Sequence, residues 1–227
     1  MPGNSQSYQA SIRTNSTSNC AIRFVGNVDI FGDVMIGTGG NPTTVIDQSG
    51  GAVVWGQRQV ALNAVVMDPV VVPPGVPNSG DLILDGASSS ITLPAGTYFF
   101  DSIELTNGAS VLTDGQVVIY VRNETRVDHA MMKGQLSGVD TPAALSVQSL
   151  SSVLCPPDFR FFDSTFVGTA YVPIGRVRFE NNSQTFGAVA AQEVRNETGS
   201  QFHFDEALRG VSANRDPSQA HVRLWKQ

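Results

Sequence analysis

Charge is scarce in this chain. Only 15% of its 227 residues are Asp, Glu, Lys or Arg, well under the roughly one quarter of an average soluble domain. What charge there is leans negative, with a formal net of −6 and a sequence pI near 4.9. The clustered cations that neutralise a phosphate backbone are missing, so nucleic acid is not an expected partner. No apolar run reaches the ~18 residues that would span a bilayer as a helix. The opening MPGNSQSYQASIRTNSTSN lacks the charged start and apolar centre of a signal peptide. Cysteine occurs twice, at Cys20 and Cys155, with no CxxC pair, which removes zinc and thioredoxin-type redox readings. In a rod wound in sequence order the two would lie several coils apart at ~4.8 Å per coil, beyond the ~7 Å reach of a bridge. Two unpaired thiols are therefore expected; winding out of order would lift that objection. Motifs GxGxxG, P-loop, HExxH and GxSxG are absent.

What is present is turn chemistry: 22 Gly and 12 Pro between short apolar runs. Lys and Glu are scarce, and helix is expected in under ~15% of residues. Short helical pieces are read near 56–66 and in the tail DPSQAHVRLW. From Ile22 the runs AIRFVGN, VDIFGD and VMIGTGG alternate with the period of two that gives a strand one buried face. Prolines in PVVVPPGVPNSG (69–80) cannot donate to a ladder, so that stretch reads as a linker or edge crossing. Strands resume at once in LILDGASSSITLPAGTYFFDSIELTNGASVLTDGQVVIYV (82–121), cut by Asp-Gly and Asn-Gly turns. Residues 122–142 interrupt the pattern as a protruding loop.

One stretch repeats itself. In TFVGTAYVPIGRVRFENNSQTFGAVAAQEV (165–194), Thr165-Phe166 returns as Thr185-Phe186, each followed by a glycine and small or apolar residues. The simplest source is two successive coils of a parallel β-solenoid, with Gly168, Ala170, Gly187 and Ala188 where the coil packs tightly. At roughly 20–25 residues per coil the chain would make about eight or nine. The expected fold is all-β, a right-handed parallel β-helix; a jelly roll or β-sandwich is the alternative. The expected layout is an N-terminal arm or cap at 1–21, the β-helix at 22–210, and a tail or cap at 211–227. Trp225 in that tail is a candidate for capping an open end.

Candidate chemistry is thin. His203 and Asp205 would share a face if their segment is a strand, and could hold a metal or pass a proton; a turn capped by Asp205 is the plainer alternative. Asp128-His129 lies near Arg122, Arg126 and Lys133, cations that a polysaccharide lyase would use, but no Asp cluster accompanies them. A glycosidase pair of carboxylates ~5–9.5 Å apart is not announced by any strand pair. Ice binding would need Thr in register on successive coils. Thr92, Thr97, Thr106, Thr113, Thr165, Thr169 and Thr185 show no strict T-x-T ladder. Glycosylation patterns begin at Asn15, Asn123, Asn181 and Asn196, as chance produces in so Asn-rich a chain. No catalytic residue, metal ligand or cofactor site is assigned, and no ligand-binding residue is named.

Several motifs together resemble a known family. Ala95-Gly96-Thr97-Tyr98, Asp114-Gly115, Phe166-Val167-Gly168-Thr169-Ala170-Tyr171-Val172-Pro173 and His203-Phe204-Asp205-Glu206-Ala207-Leu208 occur in that order. The pattern, over roughly residues 20–210, resembles the C-terminal β-helix domain of bacterial PilX-type pilus-assembly and related surface proteins. Val172 departs from the alanine usual there. The resemblance implies no catalytic residues and a non-catalytic structural or adhesive module of a cell surface or pilus-type appendage. The implied setting is extracellular or on the cell surface, within a longer anchored protein. Its implied partners are other surface or pilus proteins, with self-association and glycans as further ones. A looser likeness is to ice-binding β-solenoids, which carry a long helix that this sequence lacks. The alternatives are a carbohydrate-binding or polysaccharide-cleaving β-helix and an ice-binding solenoid.

Overall fold

The computed structural model describes residues 10–30, 32–64, 66–150, 158–205 and 208. Of the described residues, 58% are strand and 4% helix, wound into a parallel β-solenoid of about nine turns. Each coil contributes short strands to three faces, and most strands pair with their equivalent one coil on; between the coil of residues 193–204 and its N-terminal neighbours only face A is hydrogen-bonded as a ladder.

Face A stacks, in spatial order, Leu82–Asp85, Ile103–Thr106, Thr125–Asp128, Asp158–Phe162, residues 176–180, residues 193–197, Ile22–Val25 and Ile46–Ser49. Face B stacks residues 90–94, 110–114, Met131–Lys133, 165–167, 184–187 and Gln201–Phe204. Face C stacks residues 96–100, 117–121, Leu145–Ser149, 169–172 and 188–191. Ala10–Arg13 lies next to that last strand, followed by Gly32–Ile36 and Arg58–Val60. The repetition in 165–194 is thus two successive coils, with Gly168 directly beside Gly187.

The winding departs from chain order. Val194 pairs with Ile22, so the first coils of the sequence stack on the last. Strand Ala10–Arg13 fills the face C position of the coil that residues 193–204 begin. The solenoid therefore starts inside the segment read as an arm, and the premise that kept Cys20 and Cys155 apart does not hold. Cys20 is exposed and free; Cys155, like the 209–227 tail, lies outside the described residues.

Out-of-order winding requires a return path. Residues 61–64 and 66–80 supply it, lying along the outside of face C from one end of the rod to the other. Arg13 donates to the Asn63 carbonyl (2.6 Å) at the top, and the Tyr171 hydroxyl donates to the Asp68 carbonyl (2.8 Å) midway. Val70 packs on Phe99 and Tyr120, and Asn78 bridges to Phe99 at the far end. The prolines suit this strap because it needs few ladder donors.

Two other expectations need correction. Residues 122–142 are not one loop: Thr125–Asp128 and Met131–Lys133 are regular rungs, because Thr125, Val127 and Met132 point inward and are buried. Only the hairpin Gln135–Leu136/Val139–Asp140 projects. No helix forms over the described residues of 56–66, where Arg58–Val60 is a strand. Among the described residues the one α-helical turn is Pro42–Val45, capped by the Asn41 side chain and opened by Pro42.

Apolar side chains fill the interior in columns. On face A, Leu84, Leu105, Val127, Phe161 and Phe179 follow one another, and the rings of Phe161 and Phe179 stack 5.1 Å apart. The column is broken by Asn196, then continues with Phe24. This break separates two core clusters, one built from residues 93–194 and one from residues 12–52.

Candidate functional site

Face A carries the densest chemistry of the molecule. Five of its strands place arginine between two inward residues: T-R-V-D, F-R-F-F, V-R-F-E, V-R-N-E and I-R-F-V. The register brings these together as a ladder: Arg126, Arg160, Arg178, Arg195 and Arg23 on consecutive rungs. Glu104 precedes the run and Asp47 ends it. Like charges at the ~4.8 Å rung spacing would repel strongly without compensation.

Compensation comes from carboxylates on the flanking positions. Arg126 pairs with Glu104 (3.1 Å) and Asp128 (2.8 Å). Arg160 pairs with Glu180 (2.6 Å), and Arg178 reaches both Asp158 (2.5 Å) and Glu180 (3.5 Å). Arg195 pairs with Glu193, and Arg23 with Asp47 (2.9 Å). Arg176, one position outside the ladder, also contacts Asp158 (3.3 Å). The result is a nearly neutral, interlocked surface on a stiff parallel sheet.

The ionisation states follow. Burial alone would push the Asp158 carboxyl up, but hydrogen bonds and charge from Arg178 and Arg176 outweigh it and hold it below the ordinary 3.8. Asp128 behaves likewise: burial opposes, Arg126 and His129 prevail, and its pKa is lowered. Carboxylates held this firmly as anions are poor proton donors near neutral pH.

The candidates named from sequence are placed as follows. Asp128 and His129 meet (2.7 Å), and the other His129 nitrogen faces Asp163 (3.3 Å), on a turn where His129 has a positive φ of 49°. Phe162 lies 5.5 Å from the His129 ring. The cations proposed beside them are all engaged locally: Arg122 with Asp101 (2.5 Å), Arg126 in the ladder, and Lys133 with Asp140 (3.0 Å) at the hairpin. His203 is on strand Gln201–Phe204 and stacks on Phe186 at 4.8 Å; the residue stays exposed, and partial desolvation lowers its pKa. Asp205 follows that strand, and its carbonyl accepts from the Leu208 N–H (3.0 Å), closing a turn. Among the described residues no group of three or more His, Cys, Asp or Glu could hold a metal ion.

The threonines form no ladder. Thr113 and Thr185 are buried, and the outward row holding Thr165 reads Ser90, Ser110, Met131, Thr165, Gln184, Gln201. Of the glycosylation patterns, Asn15 and Asn123 are exposed and Asn196 is buried. The arginine ladder itself escaped the sequence reading. Its signal is the recurring arginine between two inward positions, visible only once the strands are put in register. Comparison of the chain with protein-family models, with curated proteins and with solved structures gives no match.

Proposed function

We propose that this protein is a non-catalytic structural module of a bacterial cell surface or pilus-type appendage, a stiff rod that meets its surroundings through its sides. The observation that carries this reading is the state of face A. Glu104, Asp128, Asp158, Glu180, Glu193 and Asp47 are engaged by its arginines, which stiffens the sheet and occupies the carboxylates that sugar chemistry would use. Every coil hydrogen-bonds its neighbours, the construction suited to bearing shape over length. The resemblance to PilX-type surface domains supports the extracellular placement.

The test combines location with activity. Protease shaving of intact host cells should remove the protein, and incubation with acidic and neutral polysaccharides should release no reducing ends. Retention in the cytoplasm, or saccharide cleavage abolished by Asp158→Asn, overturns the reading. The lack of Thr–Thr neighbours in register weighs against ice binding; thermal hysteresis in a purified sample would reinstate it.

A further inference from the structure

Where the two ends of the winding meet, the rod has a seam. On one side is the coil of residues 193–204, which strand Ala10–Arg13 completes on face C; on the other, the segment from Ile22 to Val60 forms its own coils, and a separate apolar cluster runs from Ile12 to Ala52. The seam is held by the ladder between 194–197 and 22–25, by Thr198 N–H to the Val25 carbonyl (2.8 Å), and by the Thr14 hydroxyl to the Gln192 carbonyl (3.3 Å). It is also imperfect. A small cavity there is lined by Ile12, Phe179, Val189, Val194, Asn196 and Phe202. Asn196 is only 2% exposed, its amide donates to the Ser200 carbonyl (3.3 Å), and its Oδ1 has no hydrogen-bond partner.

We propose that residues 10–60 are exchangeable, seating on the 193–204 coil of a second copy of this chain. The partner surface is already in the structure, since a second copy's coils are chemically identical to those now docked there. The strap of residues 61–80 is the hinge. In the closed monomer it must return the chain along most of the rod. In an exchanged assembly it need only turn the corner from strand Arg58–Val60 on face C to Leu82–Asp85 on face A, one rung on. Winding order then becomes sequence order.

The same rearrangement covers an end that the monomer leaves open. On the first coil, inward Leu82, Leu84, Ile91 and Tyr98 are only partly buried, and no rung pairs with the outer edge of Leu82–Asp85 among the described residues. Exchange places this edge on Ile46–Ser49 of its own chain, so copies join into one continuous solenoid. The opposing cost is release of the strap: the Tyr171–Asp68 bond and the cover that Val70 gives Phe99 and Tyr120. The balance favours the monomer when dilute and exchange when concentrated. This inference is independent of where the protein works.

Arg23 and Arg195 are rung neighbours across the seam, which supplies the test. In a Cys20→Ser, Cys155→Ser background, full-length Arg23→Cys and Arg195→Cys chains are mixed at high concentration, warmed briefly, and treated with a short thiol-to-thiol cross-linker. Covalent heterodimer is expected, increasing with concentration and rising severalfold when Tyr171→Phe loosens the strap. Simple end-to-end stacking of closed monomers leaves these positions on different copies too far apart to link. Absence of heterodimer, while the double variant in one chain cross-links internally, overturns the proposal. Should the cysteine variants fail to fold, the unmodified protein decides: oligomers that form at high concentration and persist for hours after dilution are expected, and rapid return to monomer overturns the proposal.

Discussion

Arg195 and Arg23 stand side by side on neighbouring rungs, although about three quarters of the chain lies between them. Their adjacency unites the two main features of the molecule. The arginine ladder crosses the seam, so face A is continuous in space where the chain is not.

A second contact fixes how closely the coils approach. Gly187 has φ +145, and a Cβ built on it would lie 1.8 Å from the Gly168 carbonyl oxygen, a backbone atom with no room to yield. Gly187→Ala should cost about 3 kcal/mol or more, or prevent folding. Gly75 also has a positive φ, but nothing lies within 4 Å of its added Cβ. There alanine should cost only about 1–2 kcal/mol, the left-handed backbone penalty alone. Thermal unfolding of the two variants measures the difference.

Asp158 should make stability acid-sensitive. Its folded pKa is below the ordinary 3.8, so its contribution is full above pH 3.8 and is lost as pH falls through the folded value. Asp158→Asn should flatten the pH dependence in that window. At neutral pH it should cost about 1–2 kcal/mol, allowing for solvent screening. Denaturant melts from pH 2 to 7 check both.

Asn196→Leu should stabilise the rod. The position sits in an otherwise apolar column between Phe179 and Phe24, and removing an unpartnered buried oxygen gains about 1 kcal/mol if leucine fits the cavity beside it. An unchanged or lower midpoint in urea would show that the amide bond to Ser200 matters more than the orphaned oxygen.

His203 stacked on Phe186 should titrate below its usual 6.5, because partial desolvation disfavours the imidazolium. A lowered folded pKa means that the stability it supports is full above pH 6.5 and declines as pH falls through the folded value. Phe186→Ala should open the site and return the histidine toward 6.5, read by NMR of the imidazole protons.

The strap offers an alkaline counterpart. Burial pushes the Tyr171 phenol up to about 12; the neutral form is the one folded, so its contribution is full below pH 10 and lost as pH rises toward 12. Tyr171→Phe should cost about 1 kcal/mol and speed amide exchange in residues 66–72.

The strands of 82–121 and the paired coils of 165–194 were legible because inward residues alternate and the turns between them are marked by Gly, Asn and Asp. Coil order was not. Ile22–Val25 and Val177–Phe179 present the same alternation, so nothing local says which coil should be each one's neighbour; only the Pro-rich strap hinted that the chain must travel. Arg126 was noticed for the wrong reason, as a loop cation near His129, because Thr125–Asp128 was not recognised as a rung. His203 and Asp205 looked like a pair, but the strand ends between them, at Phe204.

Strand Ala10–Arg13 and strand Gln201–Phe204 belong to one coil, two rungs in from the tip that bears Ile46–Ser49. A tether attached through either end of the solenoid would grip the rod from its flank, leaving both tips clear. Tension applied between two such tethers would act on this single coil, while the long stack from Leu82 to Glu180 lay outside the line of force.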